Sequence, residues 1–308
     1  MEFTNKHKLP APVCRAIEWQ EKSHNPDSDI SCTGLIDAPL IQWLRKKYYA
    51  YCTEDYSDRL WALYGTIAHS IMERFGMGEE NEHVEREALA IVNDWKVSTK
   101  IDYIKTGDCL TDYKMTSVWS TAEGVKIEWE NQLNTCLWLL KHDATEEGRE
   151  LGNGINKLEI CALFRDWVPS IADKFPAKVA VLPAVVWSDK YADDYVYGRV
   201  KLHQEAVKDM SVIPPICSDK ERWMKDFAVM KEGRKNAVKA KIKTREEAER
   251  WMIDLGCDSI REAIPKRCSE YCVFSKCGFC PWYDIKTNET RTEPVMAEVP
   301  KEVEDAMD

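Results

Sequence analysis

The sequence lacks a long apolar run: the longest, Val179 to Trp187, is interrupted by Pro183 and is far too short to cross a bilayer. Its opening, MEFTNKHKLPAPVCRAIEW, has no apolar segment of the kind a secretory leader carries. Internal repeats and Gly/Ser-rich linkers are missing, which excludes a repeat array. Positive charge is not in excess: the formal net charge is -10, so coating nucleic acid by bulk attraction is excluded, while a local basic track is not. These absences predict a soluble cytoplasmic protein with no membrane partner.

The chain has 308 residues, 44% of them hydrophobic, enough for a sizeable core and against a mostly disordered chain. Twelve cysteines are many. Without a leader, a disulfide framework explains them poorly, and metal ligation or plain burial remains.

Residues 1–30 are polar and predict an N-terminal surface arm. Cys32 to Tyr49 reads as a helix entry and helix, broken early by Pro39. Ser57 can cap a helix running to Phe75, stopped by Gly76, with Leu60, Leu63, Tyr64, Ile67, Ile71 and Phe75 as its apolar stripe. Residues 81–92 have no decided state. The runs VSTKIDYI and CLTDYKMTSVW flank the turn KTGD and predict a hairpin. Trp129 to Leu140 reads as a helix; Leu158–Trp167 and Lys178–Trp187 read as strands, with Tyr195–Leu202 a third, edge-like one. Thr244 with Glu247 fits a capping box for a further helix. Residues 287–308 carry seven acids and two bases and predict a disordered acidic tail.

Chemistry concentrates on the hairpin. Asp112 and Lys114 are two apart on one strand, so they share a face, and Asp102 is placed to face them across the ladder. Two carboxylates and an ammonium on one face suit a divalent cation with hard oxygen ligands, Mg²⁺ or Mn²⁺. Lys114 would then orient or deprotonate a water, or stabilise charge on phosphate. A surface ion pair is the alternative. On the preceding helix Gly65, His69 and Glu73 follow at intervals of four; Gly65 permits close approach and His69 offers an imidazole ligand. Gln132 lies on the helix after the hairpin.

In this order GTIAHSIMER, IDYI, LTDYKMTS and WENQLN resemble the RecB-like branch of the PD-(D/E)XK nucleases, which includes CRISPR-associated-type exonucleases and phage and bacterial members. The resemblance spans roughly residues 30–280. It implies an α/β, restriction-endonuclease-like core with a mixed central sheet flanked by helices, and DNA phosphodiester hydrolysis by metal-activated water. It makes His69, Asp102, Asp112 and the backbone carbonyl of Tyr113 metal ligands. Lys114 becomes the catalytic lysine and Gln132 the family's glutamine. Thr99 stands where the family often has glycine, and Cys136 replaces the aromatic of its Q-x-x-x-Y motif.

Cys268, Cys272, Cys277 and Cys280 could hold Zn²⁺ or a [4Fe–4S] cluster. Some RecB-like nucleases take a cluster cysteine from before the G-x-x-x-H helix. Here Ala38 stands in that place, and Cys32 and Cys52 have the wrong context, so the four C-terminal cysteines alone are expected to serve. Between Lys220 and Arg245 ten bases face three acids. A helix there would place Lys231, Lys235 and Lys239 on one face, with Arg234 beside them, for phosphate contacts. Arg165–Asp166–Trp167 reads as a structural ion pair, and Trp119 and Trp129 flank the proposed site, where either could stack on a base.

The expected organisation is therefore an arm at 1–30, a nuclease domain at 31–262, a cysteine cluster at 263–285 and a tail at 286–308. The expected function is an exonuclease of recombination, repair or phage DNA metabolism. DNA is its partner, and a homo-oligomer or a recombination or replication protein is allowed beside it. The alternative is a non-catalytic nucleic-acid-binding protein with a degenerate core and a cysteine-bound metal.

Overall fold

The computed structural model describes residues 1–22, 27–76, 78 and 80–298. In chain order the elements begin with β1 (Glu2–Thr4), α1 (Ala11–Lys22), β2 (Ile30–Ser31), α2 (Cys32–Ile36), α3 (Pro39–Tyr48), β3 (Thr53–Asp55) and α4 (Leu60–Phe75). A meander follows, of β4 (Glu82–Val92), β5 (Trp95–Lys105) and β6 (Cys109–Thr116). Next come α5 (Ile127–Lys141), α6 (Glu146–Gly154), β7 (Lys157–Phe164), β8 (Val179–Ala184) and α7 (Asp189–Lys208). The rest are β9 (Phe227–Met230), β10 (Lys239–Ile242), α8 (Arg245–Asp254), β11 (Ser259–Arg261), α9 (Val273–Lys276), β12 (Tyr283–Asp284) and β13 (Glu289–Thr290). Among the described residues no helix is long and apolar enough to cross a membrane.

Contacts divide the chain into two compact units, interleaved in sequence. One comprises Thr4–Asp37 and Asp55–Glu205; the other comprises Met1–Phe3, Ala38–Glu54 and the chain from Ala206 onward. These are not the contiguous segments that the sequence suggests.

The first unit is α/β with a mixed sheet. β5 pairs antiparallel with β4 along one edge. Its other edge is shared by β2, parallel at Val97 and Ser98, and β6, antiparallel at Tyr103–Lys105. β6 then pairs parallel with β7, and β7 antiparallel with β8. The undecided residues 81–92 are a strand because Asn93 and Asp94 both take positive φ (47° and 67°), the conformation of a tight two-residue hairpin turn. Ala88, Ala90 and Val92 alternate into the core along it.

α5 covers this sheet with eight consecutive buried residues, Leu133 to Leu140, so the helix is enclosed rather than amphipathic. The buried Asn134 is satisfied by Val185 and Trp187, to whose backbone O and N it donates and accepts at 2.8 Å.

Four expectations fail. Tyr195–Leu202 is not a strand but the middle of α7. Its β-branched and aromatic content favours a strand, yet the buried positions Ala192, Val196, Val200 and His203 recur at helical spacing. The arm at 1–30 contains α1, whose Ile17 is buried. The helix before the meander begins at Leu60, not at Ser57; Ser57 sits in a short 3-10 turn, its N–H donating to Asp55. The apolar stripe of α4 also faces outward: only Leu63 is buried, and Tyr64, Ile67, Ile71 and Phe75 are exposed.

In the second unit the basic segment is not a helix. It forms the hairpin of β9 and β10, flanked by β11. α8 follows as expected, Thr244 accepting from the Glu247 N–H at 3.2 Å. Part of the expected tail is structured: β13 pairs with β12, and Arg291 donates to the carbonyls of Cys280, Pro281 and Tyr283. The remainder of the tail, 299–308, lies outside the described residues.

The helical reading of α7 sets a clear expectation. Val196→Ala removes a fully buried side chain and should cost about 2 kcal/mol. Leu202→Ala, on the exposed side, should stay within about 0.5 kcal/mol. Thermal or urea unfolding followed by circular dichroism measures both; equal losses would contradict this packing.

Candidate active site

The site forms where β5 and β6 part. Their ladder is continuous from Lys105 to Tyr103 and stops there; the next facing pair is Asp102 and Asp112. Asp102 fills the opening, its Oδ2 accepting the backbone N–H of Tyr113 at 2.7 Å. On the opposite edge the β4–β5 pairing skips the same position. Glu85 lies across from Asp102 with φ at 49°, between the paired residues Val84 and Arg86. Asp102 is thus a carboxylate set into a break in the sheet.

Two groups meet there. On one side α4 delivers His69, whose Nδ1 is 3.2 Å from Asp102 and 3.4 Å from Glu85. Lys100 holds the other oxygen of Glu85 at 2.7 Å. On the other side Asp112, Lys114 and Gln132 close a triangle. Lys114 donates to Asp112 Oδ1 at 3.0 Å and to Gln132 Oε1 at 2.9 Å; Gln132 Nε2 donates to Asp112 Oδ1 at 2.8 Å. The Tyr113 ring meets the His69 ring edge-on, whereas the flanking Asp112 and Lys114 meet Gln132 of α5. Because side chains alternate along a strand, α4 and α5 lie on opposite faces of β6.

The electrostatics follow from burial. Hydrogen bonds donated to Asp102 and then Glu85 push His69 up to about 10, against its burial, so it is an imidazolium at neutral pH. Burial opposes the charge on Glu85, but His69 and Lys100 outweigh it and hold its carboxyl low. Asp112 is pushed up to about 6, chiefly by burial, with Lys114 opposing and Asp102 adding. Burial also works against the Lys114 ammonium, yet Asp112 outweighs it and the net shift is upward. Lys114 is therefore a charged donor at neutral pH, not a base.

This donor set fits a divalent cation. His69, Glu85 and Asp102 present ligand atoms within 4.8 Å of one another, the one such group among the described residues. Asp112 Oδ2 is buried without a hydrogen-bond partner, although the Lys114 nitrogen lies 2.8 Å away, because the bond is directed to Oδ1. Two or three hard oxygens with an imidazole suit Mn²⁺ and Mg²⁺.

The structure thus gathers His69, Asp102, Asp112, Lys114 and Gln132. The backbone contribution it shows for Tyr113 is the N–H. Glu85 is the residue that sequence reasoning missed. Counting back from the Asn93–Asp94 turn places it opposite Asp102, but only once residues 82–92 are known to be a strand.

The other candidates lie in the second unit. Lys231, Arg234 and Lys235 are exposed in the β9–β10 connection, and the Lys239 nitrogen lies over the Trp251 ring at 2.9 Å. The cysteines do not close as a set. Tetrahedral zinc would bring thiolates within about 4 Å of one another, and no group of three thiols among the described residues comes within 4.8 Å. Cys268 and Cys280 instead pack with Tyr283. Cys277 donates to the Thr53 carbonyl and bonds Cys52, which lowers it to about 6.

No family model matches the sequence, and no curated protein sequence matches it. Among the solved structures that are similar at low level are two. One, SSO0001, shares 16% identity at a TM-score of 0.41, over 62% of this chain and 84% of that one. The other, an alkaline exonuclease from Laribacter hongkongensis, shares 12% identity at 0.28, over 48% of this chain and 68% of that one. Likeness this slight decides neither fold nor function, so the functional reading rests on the geometry.

Because His69 is protonated in the absence of a cation, ligation must displace its proton. Titration with MnCl₂ near neutral pH should release about one proton per ion, read from calorimetry in buffers of different ionisation enthalpy. Apparent affinity should rise with pH. Glu85→Ala should weaken Mn²⁺ binding about 10-fold or more.

Proposed function

We propose that this chain is a Mg²⁺- or Mn²⁺-dependent deoxyribonuclease that hydrolyses phosphodiester bonds. The observation that carries the reading is a charged lysine locked between a buried carboxylate and a glutamine, beside a His–Glu–Asp donor group. Ion pairs that serve stability alone rarely bury an ammonium, three carboxylates and an imidazolium together, because the desolvation cost is large. A site that must meet a cation and a phosphate needs that arrangement.

His69, Glu85 and Asp102 would hold the cation, with the buried Asp112 a further candidate ligand. When bound, the ion would supply Lewis-acid polarisation of a phosphate oxygen and lower the pKa of a water. Lys114, fixed by Asp112 and Gln132, would orient that water and stabilise charge developing on phosphorus oxygens. Gln132 keeps the Lys114 nitrogen in place. Action on DNA ends, as an exonuclease in recombination, repair or phage DNA metabolism, is the finer reading. It comes from the motif order GTIAHSIMER, IDYI, LTDYKMTS, WENQLN. Lys231, Arg234 and Lys235 are further candidates for phosphate contacts.

Purified protein should degrade end-labelled linear DNA with Mg²⁺ or Mn²⁺, and EDTA should stop it. Closed circular DNA separates exonuclease from endonuclease action. Lys114→Ala and Asp112→Asn should each lower kcat by about 100-fold or more, with circular dichroism unchanged. A wild-type protein inert on single- and double-stranded DNA with either metal would overturn the proposal.

A further inference from the structure

Two exposed aromatic rings, each carrying a cation, lie on the elements that flank the site. Trp61 opens α4 and is 59% exposed; the Arg165 guanidinium lies over its ring at 4.0 Å. Trp119, in the turn after β6, is 56% exposed, and the Lys174 nitrogen lies over its ring at 4.9 Å. The segment Arg165–Asp166–Trp167 is thus not the ion pair that its sequence suggests. Asp166 instead accepts from Ser117 Oγ at 2.6 Å and the Val118 N–H at 2.8 Å, while Arg165 turns to Trp61.

Both rings are tied to the ends of the strands that carry the site. The Arg165 N–H donates to the Thr116 carbonyl at 3.1 Å, and Thr116 is two residues beyond Lys114, about 7 Å along the strand. Trp119 follows three residues later, braced edge-on against the buried Phe175 at 5.3 Å. Beside it a groove of about 410 Å³, lined by Trp119, Glu123, Lys126 and Ile127 among others, is large enough for a nucleobase. Trp61 lies two turns before His69 on α4, about 12 Å along the axis. Between them the surface over Gly65 is open: a Cβ built there meets nothing within 4 Å.

We infer that Trp61 with Arg165, and Trp119 with Lys174, form two stacking stations for unpaired bases, which guide a single strand of DNA across the catalytic residues. The inference rests on the nuclease reading and names its substrate form. Flat, exposed rings bind bases by their faces, which a duplex hides within its own stack, and a cation on each ring sits where a phosphate passes. The open strip over Gly65 leaves room for the backbone between them. Exposed aromatics also suit sugars or protein side chains, but the paired cations favour a polyanion.

The test is binding of a fluorescein-labelled oligothymidylate and a matched duplex to the full chain, in EDTA so that no cleavage occurs. The single strand should bind at least about 10-fold more tightly at one ionic strength. Trp61→Ala and Trp119→Ala should each weaken it about fivefold to 100-fold, while Trp61→Phe and Trp119→Phe keep most of the affinity. Gly65→Leu should obstruct the single strand without lowering the melting temperature. Equal binding of the duplex, no binding of either DNA, or alanine variants that bind like the wild type would overturn the inference. Cleavage with Mg²⁺ is read separately. Hydrolysis without the strand preference leaves the nuclease standing and removes the track; the preference without hydrolysis does the reverse.

Discussion

The site depends on a single hydrogen bond that a strand would normally make with its neighbour. Tyr113 gives its N–H to the side chain of Asp102 instead of to the backbone of β5. A buried amide left unpaired costs about 1–3 kcal/mol, so the carboxylate both satisfies the amide and keeps the strands apart. From that opening the rest follows: Glu85 turns into the left-handed region across from it, His69 reaches down from α4, and Asp112 and Lys114 meet Gln132 from the other face.

Holding this many charges together requires balance. Each cation in the group touches a carboxylate, and each carboxylate is offset by an ammonium, an imidazolium or a backbone N–H. Asp112 Oδ2 is buried without a hydrogen bond, although the Lys114 ammonium lies 2.8 Å from it. Its raised pKa has the same origin: burial disfavours the charged carboxylate more than Lys114 restores it. The enclosure of α5 behind it explains why. Leu133, Cys136, Leu137 and Leu140 pack directly against the sheet core, leaving no water route from that side.

Part of the site was legible in the sequence. Asp112 and Lys114 share a face because they are two apart on one strand, and spacing within an element survives folding. The resemblance in motif order pointed to His69, Asp102 and Gln132 on the neighbouring elements. Glu85 was not legible, because its place opposite Asp102 depends on the register of a strand whose turn is Asn93–Asp94 rather than a glycine pair. The basic segment failed for a related reason. Lys231, Lys235 and Lys239 fit a helix by count, but Gly233 takes φ at 76° and the chain turns back as a hairpin. The strand expected at Tyr195–Leu202 failed because local propensity yielded to tertiary burial along α7.

The sequence by itself determined the hairpin of β5 and β6, the helix cap at Thr244, the Pro39 break and the order of the chemical groups, since all of these are local. Only the tertiary structure decided what those groups touch. It set Glu85 beside His69, turned the α4 stripe outward and put Arg165 on Trp61. The physical reason is that burial and pairing are properties of the whole packed chain. A residue's neighbours across a sheet, and the desolvation that sets its charge, are fixed only when distant segments come together.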